Sequence, residues 1–104
     1  MRRAALGVAL AIAFSVAGCS GTLQTASGIV LQVTGTSVSD ISSFVLRTND
    51  GTLITFEVGP VTFDQQSFPP EHLREHQRLA LPVLVTYQVQ DGQDVAIKLE
   101  DAPR

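Results

Sequence analysis

The chain has 104 residues, with seven Lys or Arg against ten Asp or Glu and a formal net charge of −3. The acidic groups are scattered from Asp40 to Asp101 with no run of one sign, which argues against a nucleic-acid partner, whose affinity would need a basic face to neutralise phosphates. Cys19 is the only cysteine, so no disulfide can form within the chain and the fold has to hold by burial.

Arg2 and Arg3 open the chain, and Ala4 to Ala17 follow without a charge. That stretch suits the apolar region of an export signal and is shorter than the about 20 apolar residues a membrane-crossing helix needs. It ends in Val16-Ala17-Gly18-Cys19, which resembles the lipobox of bacterial lipoproteins. The resemblance implies a diacylglyceryl group, of palmitate type, on the Cys19 thiol and cleavage just before it. Residues 1–18 are then the signal, and residues 19–27 the lipidated cysteine and a small, polar, flexible tether. Two or more acyl chains hold a protein stably where one is marginal. The expected location is the extracytoplasmic side of the cell membrane or the outer membrane. Ser20 lacks the aspartate that favours inner-membrane retention in enteric lipoproteins, and the envelope type stays open. Processing would leave five basic against ten acidic residues, a balance that suits solubility.

From residue 28 the pattern has period two. Ile29, Leu31 and Val33 alternate with Val30, Gln32 and Thr34, which predicts a first strand. Gly35 to Asp40 is turn-like. Phe44 and Leu46 alternate with Val45 and Arg47 in a second strand. Asn49-Asp50-Gly51 is a hairpin signal, since these residues tolerate the positive φ of tight primed turns. Ile54, Phe56 and Val58 mark one face of the third strand, with Leu53, Thr55 and Glu57 on the other. Gly59-Pro60 stops it, and Phe63 and Phe68 are expected against the core. Pro69-Pro70 opens a short helix that ends by Pro82, with Glu71 and Glu75 toward its start and Arg74 and Arg78 toward its end, as the helix dipole favours. Val83, Val85, Tyr87 and Val89 predict the fourth strand, Asp91-Gly92 a second hairpin turn, and Val95, Ile97 and Leu99 the fifth strand. Residues 102–104 read as a tail.

The order β-β-β-α-β-β predicts an all-β domain over residues 28–101, a five-stranded OB-like Greek-key barrel with one helix at its end. An open meander sheet with the helix across one face would bury the same alternating residues. Phe-Val-Leu-Arg-Thr-Asn-Asp-Gly at 44–51, Phe-Pro-Pro-Glu-His-Leu-Arg-Glu-His at 68–76 and Pro-Val-Leu-Val-Thr-Tyr at 82–87 resemble segments of small bacterial envelope proteins with OB-like barrels. The resemblance implies the fold and carries almost nothing about activity.

His72 and His76 are the candidate metal ligands. Spacing of four on a helix brings two imidazoles to one face, beside Leu73, Leu79 and Ala80. Zinc needs at least three protein ligands, so a carboxylate such as Asp64 or Glu75 would have to join them. Otherwise the rings pack at the barrel rim. Glu57, Asp64, Glu71 and Glu75 offer acid–base chemistry only if enclosed, and Ser42 and Ser43 are nucleophiles by residue type alone, so no enzyme and no cofactor is expected. Phe44, Phe56 and Tyr87 point inward by alternation and read as core, not as a stacking platform for bases. Val30, Val45, Leu53 and Leu84 are expected on the outer face, as a partner surface or a covered barrel exterior. The resulting reading is a lipid-anchored envelope protein whose barrel is a non-enzymatic binding or structural module, a protein or glycan of the envelope being the partner class expected, with a metal-binding accessory role through His72 and His76 as the alternative.

Overall fold

In the computed structural model, which describes residues 22–62 and 64–103, five strands close into one barrel. They are β1 (Gln24–Gly35), β2 (Ile41–Thr48), β3 (Leu53–Val58), β4 (Val83–Gln90) and β5 (Gln93–Asp101), arranged β1-β2-β3-β5-β4 around the ring. Between β3 and β4 come a 3₁₀ turn (Pro70–His72) and helix α1 (Leu73–Leu79). The parallel pairing of β3 with β5 makes the Greek key, and β1 closes the ring by pairing with both β2 and β4. This is the OB-like barrel the element order predicts, and the open sheet is excluded. The signal segment, Cys19 and Phe63 lie outside the described residues.

β1 starts four residues before the boundary at 28, because Gln24–Gly28 pair with Tyr87–Val83 of β4. Residues 24–27, expected as tether, are therefore strand. Gly28 is the corner: it is opposite Thr48 of β2 and Val83 of β4 at once. A Cβ there would lie 2.0 Å from the Arg47 carbonyl oxygen. Only glycine lets the two backbones approach so closely.

The core holds Phe44, Leu46, Phe56, Leu73, Val83, Val85 and Leu99, each almost fully buried. Phe44 and Phe56 are 5.2 Å apart, and Phe56 meets Tyr87 edge-on at 4.9 Å, geometries that suit ring quadrupoles. The three inward aromatic residues are thus core, as alternation predicts.

Two strands depart from simple alternation, both at β-bulges. In β1, Val30 is opposite Leu46 and Gln32 opposite Val45, so Leu31 is an extra residue. The bulge reverses the face assignment on its N-terminal side: Val30, expected outside, is 2% exposed, while Leu31 faces out. In β5, Lys98 is opposite Thr86 and Ala96 opposite Tyr87, leaving Ile97 extra. Ala96 and Leu99 are therefore the fully buried pair, while Val95 and Ile97 are half-buried.

The two hairpins also differ. Asp91 and Gly92 both have positive φ, 52° and 77°, as a two-residue primed turn requires. At Asn49-Asp50-Gly51 only Gly51 does, at 89°. The loop is longer by one residue, with Gly51 N–H donating to Thr48 O at 3.0 Å and Thr48 N–H donating to Thr52 O at 2.9 Å. Asp50 accepts from the Thr48 hydroxyl and from Thr52 N–H. These bonds, the Thr48 hydroxyl first, hold its carboxyl below the usual aspartate range.

After β3 the chain runs along the outer edge of β5. Thr62 N–H donates to Ile97 O at 2.7 Å and Phe68 N–H to Leu99 O at 2.9 Å. Asp64 accepts from the N–H groups of Gln66 and Ser67 and meets Lys98 Nζ at 2.8 Å. The ammonium, then the Gln66 N–H, lowers the Asp64 pKa, and Asp64 raises that of Lys98. The prolines start the helix in a 3₁₀ turn, as Pro69-Pro70 suggests, and α1 ends at Ala80, whose φ is 55°. Leu81 N–H reaches back to His76 O at 3.0 Å, the six-residue closure usually built with glycine. Gln77 Nε2 donates to the carbonyl of bulged Leu31 at 2.9 Å, so a helix side chain satisfies an oxygen that the bulge takes out of the ladder.

Candidate functional site

The barrel has two unlike ends. One gathers the end of β1, the start of β4, the end of β5 and the helix; the other gathers the start of β1 and both hairpins.

The helical end contains the two histidines. His76 is 8% exposed and His72 is on the surface. A uniform helix would put both beside the apolar stripe. His72 instead belongs to the 3₁₀ turn, whose tighter winding turns it away from that stripe. Leu79, expected on the same stripe, is 47% exposed. The His76 ring stacks on Phe68 at 4.4 Å and 16°, and the same Phe68 ring meets His72 at 6.1 Å. His76 Nδ1 is 3.0 Å from the His72 carbonyl oxygen, and Nε2 is 2.6 Å from Asp101 Oδ1. Both ring nitrogens of His76 thus already face oxygen atoms of the protein. The pair is connected through a backbone carbonyl and the Phe68 ring that both imidazoles meet. Among the described residues no three His, Cys, Asp or Glu side chains form a group able to hold a metal ion.

What this constellation does is fasten α1 to the end of β5. Neither Phe68 nor Asp101 was visible as a partner in the sequence. Asp101 is 25 residues from His76, and no helical or strand period connects them.

The remaining candidates are dispersed. Glu71 and Glu75 are exposed on the 3₁₀ turn and α1, Asp64 is exposed in its turn, and Glu57 is half-buried on β3. Ser42 donates its hydroxyl to Thr34 O at 3.2 Å, and Ser43 is opposite Thr34 and Glu57 in the sheet. Val45 and Leu84, expected on the outer face, are half-buried, while Leu53 is 61% exposed.

At the hairpin end lie two shallow grooves. One, of about 410 Å³, runs between β3 and the start of β5 and is lined by Leu53, Ile54, Thr55, Glu57, Gly92, Gln93 and Asp94. The other, of about 460 Å³, is lined by Thr25 to Ser27, the Thr48–Thr52 turn, Ile54 and Tyr87. Ile54 lines both, so they meet at the mouth of the barrel. Their hydroxyl, amide and carboxylate groups surround a small apolar floor, which suits recognition more than chemistry. No helix among the described residues is long and apolar enough to cross a membrane. No protein family, curated protein or solved structure matches this chain.

Proposed function

We propose that the protein is a lipoprotein of the bacterial cell envelope, held to a membrane through Cys19, and that its barrel is a binding module without catalysis. The observation that carries the reading is Val16-Ala17-Gly18-Cys19 at the end of an uncharged stretch that follows Arg2-Arg3. The barrel supports it in one respect. β1 begins at Gln24 on the hairpin end, and the five residues from Cys19 to Gln24 reach at most about 17 Å. The grooved end then works close to the membrane, where anchoring raises its effective concentration toward other envelope components.

Growth with a labelled fatty acid, followed by intact-mass analysis, tests the anchor. The wild type takes up label and sediments with membranes, whereas Cys19→Ser takes up none and appears in the soluble fraction. An unmodified residue 19 in the wild type would overturn the reading. Crosslinking in the intact envelope, dependent on Cys19, then identifies what the barrel meets.

A further inference from the structure

We propose that the groove between β3 and β5 accepts a basic, extended segment of a partner protein as an added strand beside Leu53–Thr55; the inference rests on the reading of the barrel as a binding module.

β3 pairs with β2 over Leu53–Glu57 but with β5 only over Phe56–Val58. Leu53, Ile54 and Thr55 therefore have a strand on one side and the groove on the other. The hairpin sets the phase of the backbone. Thr48 N–H bonds Thr52 O, so in an antiparallel ladder Ile54 and Phe56 direct their N–H and C=O groups at β2. Leu53 N–H, Leu53 C=O and Thr55 N–H point the other way, toward the groove, while the bridge of Phe56 with Asp94 takes up the Thr55 carbonyl. The opposite wall leaves room, because a side-chain atom built on Gly92 would meet nothing within 4 Å. Leu53 adds an exposed apolar contact. An edge of this kind is a template for an extended peptide, with backbone bonds giving affinity and side-chain contacts giving choice.

Charge selects the occupant. Glu57 and Asp94 line the groove, and among the described residues neither forms an ion pair. Arg47 is opposite Leu53 on β2 but does not line the groove. A second copy of the barrel would bring the same carboxylates to the same edge, and like charges placed opposite one another destabilise strand pairing. A strand carrying Lys or Arg gains where a copy of this chain loses. Sugars are disfavoured because no aromatic ring lines this groove; Tyr87 belongs to its neighbour.

The test uses the full-length lipidated protein in detergent micelles, observed by amide NMR. The probes are a capped Lys-Val-Lys-Val-Lys-Val peptide, its backbone N-methylated form, a Glu-Val counterpart and an N-acetylglucosamine disaccharide. The Lys-Val peptide shifts the amides of Leu53, Thr55, Gly92 and Gln93. N-methylation weakens it by about tenfold or more as backbone bonds are lost. Glu57→Gln combined with Asp94→Asn weakens it about fivefold at low salt and less at high salt. Leu53→Arg, a surface change that leaves the barrel folded, also weakens it. No response to the Lys-Val peptide, equal binding of the Glu-Val peptide, or preference for the disaccharide overturns the proposal. If Cys19-dependent crosslinks persist in the envelope while the peptide fails, the added strand falls and the anchored binding module stands; if both fail, both readings fall.

Discussion

The helical end of the barrel is closed by apolar side chains and a tied histidine, whereas the hairpin end is closed by little more than the turns themselves. Leu73 and Phe68 fill the first, and the Phe68–His76 stack with its Asp101 and His72 bonds fixes the helix over it. At the second, Leu53 projects into solvent and two grooves meet at Ile54. Stability is concentrated where the helix sits, and an accessible length of β3 backbone beside Glu57 and Asp94 is found where it does not. The separation lets a chain of this size expose a recognition edge without opening its core.

Both ends depend on Gly28, and the largest effect is expected there. Gly28→Ala puts a methyl group against the Arg47 carbonyl, where backbone on both sides limits relief. The loss should be about 4 kcal/mol or more, or no folded protein at all, read from urea unfolding; a near-normal midpoint would mean that β1 does not turn this corner. Next comes the direct contrast between ends. Leu73→Ala should cost about 3 kcal/mol, and Leu53→Ala less than about 0.5 kcal/mol; comparable losses would erase the distinction between a closed and an open end. His76→Ala should cost about 2 kcal/mol by removing a stacked ring and leaving its acceptors unpaired, with amide exchange in α1 accelerating while the Asn49–Gly51 turn is unaffected. Ala80→Gly should stabilise by about 1 kcal/mol, since glycine occupies the left-handed φ without the Cβ penalty.

The smallest expected effect is acid sensitivity, and it samples both ends. Asp50 and Asp64 have depressed folded-state pKa values. Their stabilisation is therefore complete above the ordinary aspartate value of 3.8 and is lost as pH falls through the lower folded values. Asp50→Asn should flatten the acid limb through the β2–β3 hairpin, and Asp64→Asn through the segment covering β5. Lys98, raised by Asp64, contributes below its ordinary value of 10.5 and loses that contribution as pH rises through the higher folded value. Asp64→Asn should therefore also flatten the alkaline limb, while Asp50→Asn should not.

Much of this architecture is legible in the residues alone. Proline pairs, hairpin dipeptides and alternation locate five strands and a helix in the right order, and the inward aromatic set follows from period two. The misreadings share a cause. Alternation assumes that every residue in a strand advances the pleat, and at Leu31 and Ile97 one residue does not. Nothing local marks either position, because a bulge is fixed by the facing strand and, at Leu31, by Gln77 taking up the freed carbonyl. The start of β1 was misplaced for a similar reason: Thr25 and Ser27 resemble a tether until β4 supplies their partners. The histidine pair follows from helical spacing, but the role of His76 does not, since it depends on Asp101 and Phe68 brought together by the barrel. The open edge of β3 is a property of register, which one strand's sequence cannot state.

The attachment of the chain ahead of Gln24 also has a mechanical side. β1 lies antiparallel to both β4 and β2 and bonds to both, so a pull on that attachment, directed away from the hairpin end, runs along the strand axis. Its ladder bonds then bear the load side by side in shear and do not open one after another like a zipper. A protein moored at this point would meet the pull with a strand bonded to two neighbours.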